Sequence, residues 1–189
     1  ARIHGFNFGL LPVGTMRKPF DLRLEVEQSD HMVVTLSACT AIAPGGGYID
    51  IQELEDACSL QMPLSEIKSR YPQAQELYIQ LVVNPFERNN TGGFDSEENP
   101  PRERFTKASF RLELSPVARA ERSASGAFQF PVGKLNLKNQ QVKEDEKYIP
   151  PSASYAAHKK LESHYENWLR KLTDLEGYCR QTLEKIRSI

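Results

Sequence analysis

Four histidines, three cysteines and a few acidic runs are the side chains with which this chain could do chemistry. His4, His31, His158 and His164 are scattered. His158 and His164 stand six apart, on different sides of a helix, and neither has a His or Cys four residues on. No metal site is expected. Cys39, Cys58 and Cys179 are odd in number and lack CxxC spacing, so they read as buried or idle thiols in a reducing compartment. There is no GxSxG elbow, and no cysteine has an evident histidine partner. Gly45-Gly46-Gly47 lacks the Lys-Ser/Thr of a phosphate loop and precedes a strand pattern, so it reads as a hairpin turn. Glu97-Glu98 and Glu144-Asp145-Glu146 lie in polar surroundings and read as solvated turns, not as a glycosidase acid pair. Asn89-Asn90-Thr91 has the form of a glycosylation acceptor, with nothing else pointing to secretion. The expectation is a binding or structural protein that uses no cofactor and is not an enzyme.

The bulk numbers narrow the partners. The 189 residues carry 24 Lys plus Arg against 25 Asp plus Glu, a net charge of -1. That balance gives no electrostatic pull toward nucleic acid or an anionic membrane. No apolar run approaches the roughly 20 residues that cross a bilayer, so direct membrane insertion is not expected. The start, Ala1-Arg2-Ile3-His4-Gly5-Phe6, is not a signal peptide and lacks an initiator Met. The chain is therefore expected to be cut from something longer.

The elements that would position any site are mostly strands. Phe20 to Glu27 alternates without a fault, with Phe20, Leu22, Leu24 and Val26 on one face. Gln28-Ser29-Asp30 supplies a turn, and His31 to Ala38 a second strand. A turn at Pro44 to Gly47 leads to a short strand at Tyr48 to Ile51. Ser65 to Tyr71 reads as a helical turn capped by Ser65. Leu77 to Val83, Phe105 to Leu114, Phe128 to Val132 with a continuation through Leu135 and Leu137, and Gln141 to Asp145 complete the strands. The polar stretch from Pro85 to Arg104 lacks apolar content to bury and is expected to be a mobile hairpin loop. Ala118 to Gly126 reads as a second exposed loop. Many short strands with close turns predict a mainly β fold, an antiparallel sandwich spanning residues 1–149.

Residues 150–189 differ in character. Pro150 and Pro151 stop the sheet, and Ser152 or Ser154 can cap a helix beyond them. From Tyr155 to Ile186 there is no proline and one glycine, Gly177, so a single long helix is predicted. Leu161, Tyr165, Trp168, Leu172, Leu175, Cys179, Thr182 and Ile186 are spaced in alternating steps of four and three, which is an a/d seam. Leu169 and Leu183 widen it at e, as in a bundle of more than two helices. Lys171 at g and Glu176 at e can pair between parallel chains. The oligomerisation residues expected from this pattern are Leu161, Tyr165, Trp168, Leu169, Leu172, Leu175, Cys179 and Ile186. Two other arrangements fit the same stripe: the helix lying back across its own sandwich, or pairing with a second helix outside this segment.

Gly133-Lys134-Leu135-Asn136-Leu137, with Tyr148-Ile149-Pro150-Pro151 and a long helix after it, resembles a known family. It looks like the shoulder and the start of the neck of TssK, a trimeric baseplate component of bacterial type VI secretion systems. That family's sandwich ends in an "(I/V)G(R/K)L.L" strand, and an acidic stretch then leads to "YIPP" and the neck helices. Tyr78-Ile79-Gln80-Leu81 is similar to its "YLAL" strand. The family's N-terminal anchoring motif and C-terminal head have no counterpart here. The resemblance implies a cytoplasmic homotrimer whose sandwich docks onto TssF and TssG wedge proteins. The alternatives are a phage-like receptor-binding module recognising a surface glycan or protein, and a carbohydrate-active enzyme of the sandwich class.

Overall fold

The computed structural model describes residues 8–14, 17–18, 20–27, 30–52, 57–95, 100, 102–117, 126–138 and 141–188. The expected turn residues 28–29 and most of the expected loop at 118–126 lie outside them.

The spine of the first sheet is β3 (His31–Ile42). Along one edge it pairs antiparallel with β1 (Gly9–Leu10) and β2 (Asp21–Val26), along the other with β4 (Tyr48–Gln52) and β5 (Cys58–Pro63). Each flank is thus two short strands set end to end. The second sheet runs in the order β7 (Arg102–Ser115), β6 (Glu76–Asp95), β8 (Gln129–Lys138), β9 (Gln141–Glu144), all antiparallel. A short helix, α1 (Leu64–Arg70), links the sheets; its Leu64 and Ile67 are buried, and the Tyr71 hydroxyl after it donates to the Leu114 carbonyl at 2.8 Å. The mainly β sandwich is as the sequence predicts.

The core lies between the sheets. Met32, Val34 and Leu36 come from β3, Ile49 and Ile51 from β4, Leu77, Ile79 and Leu81 from β6, and Phe130 and Leu135 from β8. Two bulges keep this surface continuous. In β3, Leu22 pairs with Leu36 but Asp21 with Ala38, so Ser37 is an extra residue. Its hydroxyl donates to Asp21 Oδ2 at 2.8 Å. The inserted residue moves the buried phase from Met32, Val34 and Leu36 to Cys39 and Ala41. In β8, Gln80 pairs with Pro131 and Ile79 with Gly133, so Val132 is the extra residue and the phase passes from Phe130 to Leu135.

Three local expectations change. The polar segment from Pro85 to Arg104 is largely strand, since β6 and β7 pair as far as Asp95 with Arg102. An antiparallel ladder is closed by backbone hydrogen bonds and does not need an apolar face. The irregularity between Asn84 and Arg88 is held by the Asn84 side chain, whose Oδ1 accepts from the Phe86 and Glu87 amides at 3.1 and 3.3 Å. Residues 58–63, unassigned from the sequence, form β5. The helical turn begins at Leu64 without a Ser65 cap; the Leu64 amide donates instead to the Asp30 carbonyl at 2.9 Å.

Gly133 lies where the sheets meet. A Cβ there would stand 2.6 Å from Leu22 Cδ2 and 3.0 Å from Ile79 Cδ1. Gly133→Ala is expected to cost about 1–3 kcal/mol of unfolding free energy by overpacking. Urea denaturation checks this, and an unchanged midpoint would show that Leu22 yields without cost.

Candidate assembly interface

After β9 the chain becomes a strap. The Asp145 amide donates to the Lys134 carbonyl at 2.8 Å, and the Tyr148 ring packs edge-on against Tyr78 of β6, centroids 5.9 Å apart. Burial raises the Tyr148 phenol to about 12, so it stays neutral. Lys134 reaches Glu76 at 2.9 Å and Asp145 at 3.7 Å, which ties the start of the strap to the second sheet. The hydrogen bond to Glu76 raises the Lys134 pKa.

The strap then crosses to the first sheet. Pro150 is buried. The Leu10 amide donates to the Pro151 carbonyl at 2.8 Å, the Ala153 amide donates to the Leu10 carbonyl at 2.9 Å, and Leu10 bridges Ser152 in parallel sense. Gly9 makes this approach possible. Its φ is +128°, and a Cβ would stand 2.8 Å from the Pro151 and Ser152 backbone. Tyr148 to Ala153 therefore clamps both sheets just before the helix.

A 3-10 turn, Tyr155–Ala157, precedes α2 (Lys159–Arg187). Ser154 caps the turn rather than the helix, accepting from the Ala156 amide at 3.3 Å. The helix is capped by His158, whose Nδ1 accepts from the Lys160 amide at 3.3 Å. The His158 ring lies against Phe20 of the first sheet, centroids 6.0 Å apart, and Lys160 Nζ donates to the Glu146 carbonyl. The base of the helix is fixed to the sandwich.

Beyond its base the helix carries its apolar side in water. No residue of α2 is buried. Trp168 is 64% exposed and Leu172 58%, and Leu169, Leu175, Leu183 and Ile186 are also exposed, as is Cys179. Leu161, at the base, is half-buried. All eight sequence-predicted oligomerisation residues lie on this one helix. In this structure the helix does not lie back across its own sandwich. Lys171 Nζ sits over the Trp168 ring at 5.8 Å, and Glu176 pairs with Arg180 at 2.7 Å. Gly177 falls at position f, away from the seam, and a Cβ there would meet nothing within 4 Å. The sequence reading missed the His158 cap and Tyr155, which stacks on Tyr165. Only the cap left a trace in sequence, a polar residue one position before the helix.

Elsewhere the chemistry is sparse. Among the described residues no group of three or more His, Cys, Asp or Glu is placed to hold a metal. Cys39 and Cys58 are buried, and burial raises the Cys39 thiol far above its ordinary range. No helix among the described residues is long and apolar enough to cross a membrane.

No protein-family model and no curated protein sequence matches the chain. Its fold does match solved structures. A crystal structure of TssK aligns with a TM-score of 0.58 at 13% identity, over 95% of this chain and 41% of that one. TssK from the type VI secretion system of EAEC, bound to a nanobody, gives 0.56 at 19% identity, over 89% and 39%. A chain of the TssK-TssF-TssG baseplate subcomplex gives 0.50 at 18% identity, over 89% and 57%. The chain thus spans less than two thirds of each. The resemblance to TssK read from the sequence extends to the fold.

The cap gives a pH dependence. Burial first, then the Lys160 charge, lowers the His158 pKa, and Nδ1 accepts a hydrogen bond only when unprotonated. The cap contribution is fully present above the unfolded histidine pKa of about 6.5 and is lost as pH falls through the lower folded value. Amide-exchange protection at Lys160 to Glu162 should fall on acidification in the native sequence and stay flat in His158→Asn. Equal profiles would remove the role of the cap.

Proposed function

We propose that this chain is the shoulder domain and the start of the neck of a TssK-like baseplate component. Residues 1–149 dock onto wedge proteins, and residues 150–189 join three copies into a parallel bundle. The observation that carries this reading is the exposed apolar stripe of α2 on a helix clamped to a TssK-type fold. An amphipathic helix draws most of its stability from packing its apolar face. A contiguous line of exposed large apolar side chains along one helix face marks an interaction site. The a/d spacing with additional leucines at e fits a bundle of more than two helices.

The function is adhesion, without catalysis or cofactor, and the setting is cytoplasmic. Burying the stripe contributes about 25 cal/mol per Å² of apolar area, offset by the entropy of association. One structure that shares this fold is a TssK-TssF-TssG subcomplex, which supports TssF- and TssG-type wedge proteins as the partners. Three copies of a modest docking surface would then act together through avidity.

Two experiments test this. Light scattering should give a trimer mass for the native chain and a monomer mass for Leu172→Asp, which puts a charge into the seam; a monomer in both cases removes the neck assignment. A pull-down with TssF and TssG should retain the trimer but not the monomeric variant. An intact trimer that ignores the wedge proteins and binds a glycan array would favour the receptor-binding reading.

A further inference from the structure

The apolar stripe of α2 does not begin with the helix. Tyr155, on the 3-10 turn before it, stacks on Tyr165 with centroids 4.3 Å apart and planes 17° from parallel. Helical side chains lean toward the N-terminus, so the Tyr165 ring extends back over the first turns, where Tyr155 meets it. Stacking leaves both rings in water: Tyr155 is 52% exposed and Tyr165 45%. Tyr165 occupies position a, and Trp168, 64% exposed, is the next seam residue. The two stacked tyrosines thus lead from the 3-10 turn to position a, one seam step before Trp168.

We infer that Tyr155 belongs to the interface between copies of this chain, as an aromatic collar at the foot of the bundle outside the heptad repeat. The inference rests on the trimer reading above. The occupant is a second copy for two reasons. The collar is continuous with the a/d stripe, so whatever covers Trp168 and Leu172 passes over it. The flanking charges, Lys171 at g and Glu176 at e, are complementary between parallel copies, with Glu176 exchanging its exposed own-helix partner Arg180. Large aromatic rings that become buried in an interface bring much area at little entropy. The collar also places the contact beside the clamp, so assembly would hold the three sandwiches at fixed spacing about the bundle.

Sedimentation equilibrium on the full chain tests this. Tyr155→Ala should weaken self-association at least tenfold, and Tyr155→Phe should stay within about twofold. Far-UV circular dichroism of the dilute monomers should show equal helix content in all three. A second readout uses Tyr155→Cys with Cys179→Ser, leaving Cys39 and Cys58 buried. Mild oxidation should then yield disulfide-linked dimers. Unchanged association in Tyr155→Ala together with no cross-link would overturn the inference and leave the trimer standing. Loss of helix in the Tyr155→Ala monomer would also overturn it, since the ring would then only prop its own helix. A native chain that stays monomeric at every concentration overturns the trimer reading itself.

Discussion

A 29-residue helix with none of its residues buried follows a sandwich whose two sheets enclose an apolar core. Both faces of the sandwich interior are closed by aliphatic residues and Phe130. The helix repeats the same chemistry, with Trp168, Leu172 and Leu175 in line, yet faces water. Water penalises that surface in proportion to its area. The clamp at Pro151 and the cap at His158 fix where that surface begins, and Tyr155 stacks on Tyr165 within it.

Anchoring matters because association is opposed by lost freedom. A helix swinging on a flexible linker would give up its orientational entropy at each encounter. Here the strap is bonded to both sheets before the helix begins. Its hold on the first sheet depends on Gly9, whose missing Cβ and positive φ let two backbones touch. Its hold on the second depends on Lys134 and the Tyr78–Tyr148 contact. Through this segment the base of α2 is tied to both sheets of the sandwich.

The sequence made much of this legible, for reasons that can be traced residue by residue. Period-two alternation marked β2 because its ladder to β3 runs unbroken from Leu22 to Val26. The same rule ended β3 at Ala38 and divided β8 near Gly133, because one extra residue, Ser37 or Val132, inverts the inward phase without ending the strand. Alternation cannot report a bulge, since it reads the inversion as a stop. Hydrophobicity likewise hid the outer half of the β6–β7 pair, whose ladder relies on backbone bonds. The helix and its stripe were legible because the heptad pattern is local. Tyr155 was not, since its partner lies ten residues away across a change from 3-10 turn to α-helix.

The chain has a single tryptophan, Trp168, in the middle of the stripe. Its emission spectrum, tracked from nanomolar to high micromolar protein, reports directly whether the stripe is covered. A covered seam predicts a shift to shorter wavelength and protection from a water-soluble quencher as concentration rises, both in step with the growth in mass. Emission that stays at the water-exposed wavelength and fully quenchable across that range would contradict the account.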